Sequence, residues 1–338
     1  MIPSFKLGPV AYASLFSISA FFFCGCAPTG DSDADSTASG RLTIAAIPKA
    51  TGGDFWETVE TGARRAAEEL DIELKWEGTV TETEIAEQTK IIENMINLGV
   101  DAIALAPLNN QAQRKPVQSA VDTGIPVVIF DSAVDGDSHS SFVATDNVLG
   151  GALGARFISE KASPGARVIV FRYVQGTAST AKRSDGFIEV ARNAGHEIVA
   201  DPFSESGTLE GSKSVVANTF ERFIDDGRLN IDAVFAANLT TTLGVSSALD
   251  DLQDSGIETD LVFVGFDSSK KLVEEVQSGK IDALIVQSPE KMGYLAVKTA
   301  TAVAQGETVP ALIDTGVEVV TAERLRNEAE IRALVGLE

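Results

Sequence analysis

Cysteine, histidine and positive charge are all scarce in this 338-residue chain. Two cysteines, Cys24 and Cys26, cannot build a disulfide framework or a cysteine-rich zinc site. Two histidines, His139 and His196, lie far apart in sequence and leave little for histidine-based catalysis or metal binding. Lys and Arg number 27 against 49 Asp and Glu, a formal charge of −22. A chain this acidic has no electrostatic reason to hold phosphate backbones, so no nucleic-acid partner is expected. The G-x-G-x-x-G, Walker and G-x-S-x-G signatures are also missing. Gly150-Gly151-Ala-Leu-Gly154 has the wrong spacing for a dinucleotide loop, and glycines opening a helix usually serve packing. Asp131 and Asp267 could imitate a glycosidase pair, yet nothing in the sequence marks either as an acid of raised pKa. No enzyme, no cofactor and no metal are expected. The apolar share of 44% is that of an ordinary soluble globular protein, and the length allows about two domains, each with its own core.

The first 40 residues read as an address and a tether. Lys6 and the amino terminus precede Val10–Phe23, an apolar run of signal-peptide length that is short for a membrane span. It ends in Phe23-Cys24-Gly25-Cys26, which resembles a bacterial lipobox, with Gly25 before the cysteine that is lipidated. Residues 1–26 are therefore expected to be a lipoprotein signal peptide, with Cys26 the lipidation site. Residues 27–40 hold no large apolar side chain and are expected to be a flexible linker. Localisation follows: periplasm or cell surface, held at a membrane by lipid.

From Arg41 onward one unit recurs, a short apolar run, a turn and an amphipathic stretch. Leu42–Ile47, Ile72–Trp76, Ala102–Ala106, Pro126–Phe130, Ser141–Ala144, Arg167–Phe171, Ala233–Ala236, Leu261–Gly265 and Asp282–Val286 read as strands, with helices between them, such as Phe55–Leu70 and Ile85–Leu98. Near-continuous apolar strands alternating with helices imply an α/β protein of parallel sheets covered on both faces. There are too many strands for one small domain, so two sheets are expected. Ligands of such sheets bind beyond the carboxyl ends of the strands.

The residues standing there are Lys49 after the first strand, Phe55 and Trp56 opening the next helix, then Asp131, Arg183, Asn238, Asp267 and Gln287. Carboxylates accept paired hydrogen bonds from vicinal hydroxyls, while Arg, Asn and Gln donate to ring and hydroxyl oxygens. Phe and Trp can cover the apolar C–H face of a sugar. Each residue alone has a plainer role: an Asp after a strand is most often a helix cap or loop residue, and Phe55 and Trp56 could be core. Together they suit a polyhydroxylated ligand.

Residues 41–320 resemble the periplasmic sugar-binding proteins of ABC importers, specifically the ribose-binding type. The resemblance is carried by Ala-Thr-Asp146-Asn147-Val-Leu-Gly-Gly151, Ala-Val-Phe-Ala-Ala-Asn238, Val-Gly-Phe-Asp267 and Ile-Val-Gln287-Ser-Pro289 with Gly293. It implies two Rossmann-like lobes joined by a three-strand hinge, with crossings near Ala144–Asp146, Gln287–Pro289 and Asp314. The lobes would comprise 41–145 with 288–313, and 146–287 with 314–338. Phe55 and Trp56 would sandwich a sugar, and Asp131, Arg183, Asn238, Asp267 and Gln287 would make the polar contacts. The implied partners are a sugar ligand and an ABC transporter permease, with the protein itself a monomer. Lys49 stands where the family has a small polar residue, Gly52-Gly53 and Leu239 also depart, and Ser132 replaces an Arg of the ribose binders. Ile47-Pro-Lys49-Ala-Thr51-Gly and Asp131-Ser132 instead resemble the binders of rhamnose and of a quorum-signal furanose, in which such a Lys helps hold the ligand. The expected ligand is a neutral monosaccharide or sugar-like polyol. The alternatives are a signalling furanose, or a role as the ligand-presenting subunit of a sensor.

Overall fold

Ile44 and Ala46 face one side of the first strand while Ala45 and Ile47 face the other, and all four are withdrawn from solvent. That double burial requires helices on both faces, and the architecture follows from it. The structure, a computed structural model, describes residues 40–204 and 206–337. The signal peptide, Cys26 and nearly all of the linker expected from the sequence lie outside the described residues.

The chain begins with β1 (Thr43–Ile47), α1 (Asp54–Glu69), β2 (Glu73–Trp76), α2 (Ile85–Leu98), β3 (Ala102–Leu105), α3 (Arg114–Asp122), β4 (Val127–Phe130) and β5 (Ser141–Ala144). It continues through α4 (Asn147–Lys161), β6 (Arg167–Phe171), α5 (Ala178–Asn193), β7 (Glu197–Ala200) and α6 (Leu209–Phe220). A small hairpin, β8 (Ile224–Asp225) and β9 (Arg228–Leu229), precedes β10 (Ala233–Ala236), α7 (Leu239–Asp254), β11 (Val262–Phe266), α8 (Lys270–Ser278) and β12 (Ala283–Gln287). Last come α9 (Pro289–Ala304), β13 (Leu312–Asp314), β14 (Val317–Val320), α10 (Ala322–Asn327) and α11 (Ala329–Leu334).

The strands form two six-stranded sheets, ordered β2-β1-β3-β4-β5-β13 and β7-β6-β10-β11-β12-β14. Every pairing in them is parallel except that of β14 with β12. The two lobes thus repeat one topology, and the strand order reverses at β1 and at β6, where such sheets open a crevice. Core side chains of α1 and α9 cover one face of the first sheet, and those of α2 and α3 the other. In the second sheet, α4 and α5 cover one face while α6, α7 and α8 cover the other. The chain passes between sheets three times, from β5 to α4, from β12 to α9, and from β13 to β14.

The sequence reading had no strand at β7, β13 or β14. All three are edge strands, half-exposed along most of their length. They therefore lack the continuous apolar run that marks strands buried on both faces.

The helix following the fifth strand crosses over in both lobes. Accordingly α4 packs on α5, and α9 packs on α1. In the first of these pairs a Cβ on Gly151 would lie 1.9 Å from the carbonyl oxygen of Arg183. Glycine there lets two backbones touch.

Candidate functional site

All eight residues singled out from the sequence line one cavity of about 200 Å³, bordered by strand ends from both lobes. β1 delivers Lys49, β4 delivers Asp131, and the start of α1 delivers Phe55 and Trp56. From the other lobe, β10, β11 and β12 deliver Asn238, Asp267 and Gln287, and α5 delivers Arg183.

The charged members are paired as buried charges must be. Lys49 is 2% exposed, not turned to solvent, and its Nζ lies 2.6 Å from Asp131 Oδ2. That contact is an ion pair rather than a well-directed hydrogen bond, because Oδ2 has no partner of good angular geometry among the described residues. Nζ also donates to Ser179 Oγ of the second lobe at 3.2 Å. Arg183, also 2% exposed, donates from Nε to Asn147 Oδ1 at 2.7 Å and from Nη1 to the Ala237 carbonyl at 3.2 Å. Its guanidinium carbon sits 3.9 Å from the centre of the Phe266 ring, a cation–π contact, and Nη1 is 3.7 Å from Asp267 Oδ2. Asp267 accepts from Gln287 Nε2 at 2.7 Å and from the Leu239 backbone N–H at 3.2 Å. Gln287 Oε1 is buried with no protein partner among the described residues.

Asp131 and Asp267 are equivalent in the repeat. Each follows the fourth strand of its sheet, each has a left-handed backbone (φ 58° and 66°), and each donates its N–H to the next strand, at Val143 and Ile285. Asp tolerates this conformation better than most side chains, which helps explain why it stands at both positions.

Burial raises the pKa of the Asp267 carboxyl, opposed by Arg183 and by the donors from Gln287 and Leu239. No acid of this kind was visible in the sequence. Its two oxygens nevertheless face N–H donors, which suits an acceptor of hydrogen bonds better than a general acid.

Two of these residues also have structural roles, of which only the core role of Trp56 is anticipated by the sequence. Asn238 caps α7, with its Oδ1 accepting from Thr241 N (3.0 Å) and Thr241 Oγ1 (2.8 Å), so its amide nitrogen is the group left to donate. Trp56 belongs to the core of the first lobe, edge-on to Phe55 with ring centres 5.1 Å apart, while still lining the cavity.

The sequence reading missed Glu82 and Tyr173. Both line the cavity and stand beyond strand ends, after β2 and β6. Trp56 Nε1 donates to Glu82 Oε1 at 2.7 Å, and burial raises the Glu82 pKa against the opposing pull of Lys49 and the indole. Tyr173 donates its hydroxyl to the Gly207 carbonyl at 3.0 Å, and burial, with the Glu82 charge, pushes its pKa up. With Glu82 the wall holds three carboxyls against two cations, whereas the sequence reading had two of each.

The lobes also touch directly beside the cavity. Ser179 N–H donates to Ser132 Oγ at 3.1 Å, Thr177 Oγ1 to the Leu108 carbonyl at 3.3 Å, and Asn110 N–H to the Gly176 carbonyl at 3.1 Å.

Two parallel α/β lobes of repeated topology, with buried polar side chains converging from both on a small cavity, define a two-lobed binding protein. The chain belongs to the periplasmic binding protein domain family, whose model matches residues 44–308. It is 27% identical over 314 residues to the ribose import binding protein of Bacillus subtilis, covering 92% of this chain and 98% of that protein. To the ribose import binding protein of Escherichia coli it is 28% identical over 276 residues, covering 82% and 89%. Among solved structures it is similar to a carbohydrate transporter solute binding protein from Agrobacterium radiobacter in complex with D-arabinose, with TM-score 0.81, 30% identity, and coverage of 88% of this chain and 100% of that one. A solute binding protein from Agrobacterium vitis with bound D-fucose matches with TM-score 0.79 and 31% identity, covering 86% and 98%. The ribose-type two-lobed fold expected from the sequence is the fold observed.

Proposed function

We propose that this protein binds one neutral monosaccharide or sugar-like polyol between its lobes, outside the cytoplasm, and passes it unaltered to an ABC importer. The observation that carries this reading is the convergence of Lys49, Asp131, Arg183, Asn238, Asp267 and Gln287 on one small cavity beside Phe55 and Trp56. The cavity lies below the roughly 300–1,000 Å³ typical of drug-sized ligands, which suits one sugar unit. Asp131 and Asp267 accept from hydroxyls, the amides and cations donate, and the aromatic pair meets the C–H face. Sugar ligands and transport roles in the names of its relatives favour the same class.

In this reading the lobes, 41–145 with 288–313 and 146–287 with 314–338, close as the ligand favours contacts on both sides. Lipidation at Cys26, after a signal peptide ending in Phe23-Cys24-Gly25, would hold the binding body at a membrane as a monomer. Calorimetric titration with D-ribose, D-arabinose, D-allose, D-fucose and myo-inositol, with product analysis of each mixture, tests the reading. Saturable binding of at least one without chemical change, lost in both Asp131→Ala and Asp267→Ala, is expected. Binding of none, or turnover of any, would overturn it.

A further inference from the structure

Glu82 lies in the loop that leaves β2, on the cavity wall shared with Lys49, Trp56 and Asp131. The two cations of the wall are already engaged, Lys49 by Asp131 at 2.6 Å and Arg183 by Asn147, the Ala237 carbonyl and Asp267. Glu82 forms no ion pair among the described residues. Its Oε1 accepts the indole N–H of Trp56 at 2.7 Å, and the Tyr173 hydroxyl is its other polar neighbour. That bond turns a flexible side chain into an oriented one, anchored to a tryptophan packed in the core of the first lobe. Glu82 also borders a second hollow, lined by Leu108, Val174 and Phe203 among others.

We propose that Glu82 is a specificity-determining residue of this cavity: a carboxyl oriented by Trp56 that takes a hydroxyl of the bound polyol and turns away ligands carrying an acidic group. The inference rests on the polyol reading given above and adds to it a residue and a rule of selection. A carboxyl that gives one oxygen to an indole N–H keeps acceptor capacity for a hydroxyl in either protonation state. The raised pKa favours the neutral form, which can also donate. An acidic ligand meets a different wall. Both cations of the wall are engaged, so the charge of an acid meets carboxyls without a spare counter-ion, and Glu82 in its ionised form, which a rise in pH populates, adds a like charge at short range. A neutral polyol incurs none of this repulsion.

The test is Glu82→Gln, which keeps the shape and an oxygen for Trp56 Nε1 but removes the ionisable group. Wild type and variant are titrated in matched pairs: D-ribose with D-ribose 5-phosphate, and D-galactose with D-galacturonate. Far-ultraviolet circular dichroism confirms folding, and Glu82→Ala serves as a second variant. The expected result is that wild type prefers the neutral member of a pair. In Glu82→Gln that preference narrows by roughly tenfold or more, through weaker binding of the neutral sugar, stronger binding of the acid, or both. An unchanged neutral-to-acid ratio in both variants would overturn the role of Glu82 while leaving the polyol reading intact. Failure of wild type to bind any neutral sugar, in these pairs or in the titrations above, would overturn both.

Discussion

Lys49 and Asp131, from the ends of β1 and β4, form an ion pair of 2.6 Å with both side chains almost wholly withdrawn from water. Removing one partner of such a pair strands the other in a poorly solvating environment, at a cost of about 3–5 kcal/mol for a fully buried case. Lys49→Ser is therefore expected to lower the melting temperature and to weaken binding of a neutral sugar by roughly tenfold or more, about 1.4 kcal/mol. Adding Asp131→Asn to Lys49→Ser should recover part of the lost stability while binding stays poor. A double-mutant cycle by thermal denaturation measures the coupling, and a coupling near zero would show that the pair is not an energetic unit.

Glu82 links the cavity to pH. Its pKa in the folded protein is raised, chiefly by burial, so the folded state holds the proton more tightly than the unfolded chain does. Stability from this group is fully present below the unfolded carboxyl pKa and is lost as pH rises through the folded value. Glu82→Gln abolishes that loss. The ligand-free variant should melt close to wild type near pH 4 and progressively higher than wild type toward pH 7–8. Melting curves across that range check the sign, and a difference that shrinks with rising pH would contradict it.

Ser132 Oγ, beside Asp131 at the end of β4, accepts the backbone N–H of Ser179 from the opposite lobe. Such a bond is worth about 0.5–1.5 kcal/mol, available only when the lobes are together. Ser132→Ala should shift ligand-free protein toward a more open form, with a larger radius of gyration by small-angle X-ray scattering. Sugar affinity should fall by roughly three- to tenfold. A variant with unchanged scattering and affinity would show that this contact does not favour closure.

The parallel strands expose what could be read in advance. Lys49, Asp131, Asn238 and Asp267 follow, and Gln287 ends, strands whose apolar runs are unmistakable, and the crevice rule for parallel sheets does the rest. The same rule points to Tyr173, directly beyond Phe171, and to the 77–84 loop containing Glu82, but neither stretch draws the eye to one residue. Glu82 is one of four glutamates between Glu77 and Glu87, and only the indole contact separates it from its neighbours. The edge strands β13 and β14 stayed hidden because half-exposed segments carry no period strong enough to read. The meeting of Ser132 with Ser179 was hidden for another reason. Hydrogen bonds between small neutral groups far apart in sequence leave no pattern of hydrophobicity or charge.

Gly151 supports Arg183 through its lack of a side chain. A methyl group there would meet the Arg183 carbonyl oxygen at 1.9 Å and the Phe187 nitrogen at 2.8 Å, both backbone atoms of α5 that cannot rotate aside. Gly151→Ala must push α4 and α5 apart, an overpacking cost of roughly 1–3 kcal/mol. The shift also carries the guanidinium away from Asn147 and Phe266, so sugar affinity should fall together with the melting temperature. Gly195→Ala provides the control. Its φ of +88° strains an alanine, yet a Cβ there meets nothing within 4 Å, and the residue lies at the far end of α5 from the cavity. It should lower the melting temperature and leave sugar affinity unchanged. If the two variants lose affinity equally, general loosening rather than displacement of Arg183 accounts for the effect; if Gly151→Ala alone loses it, the close approach of α4 to α5 sets the height at which Arg183 meets the cavity.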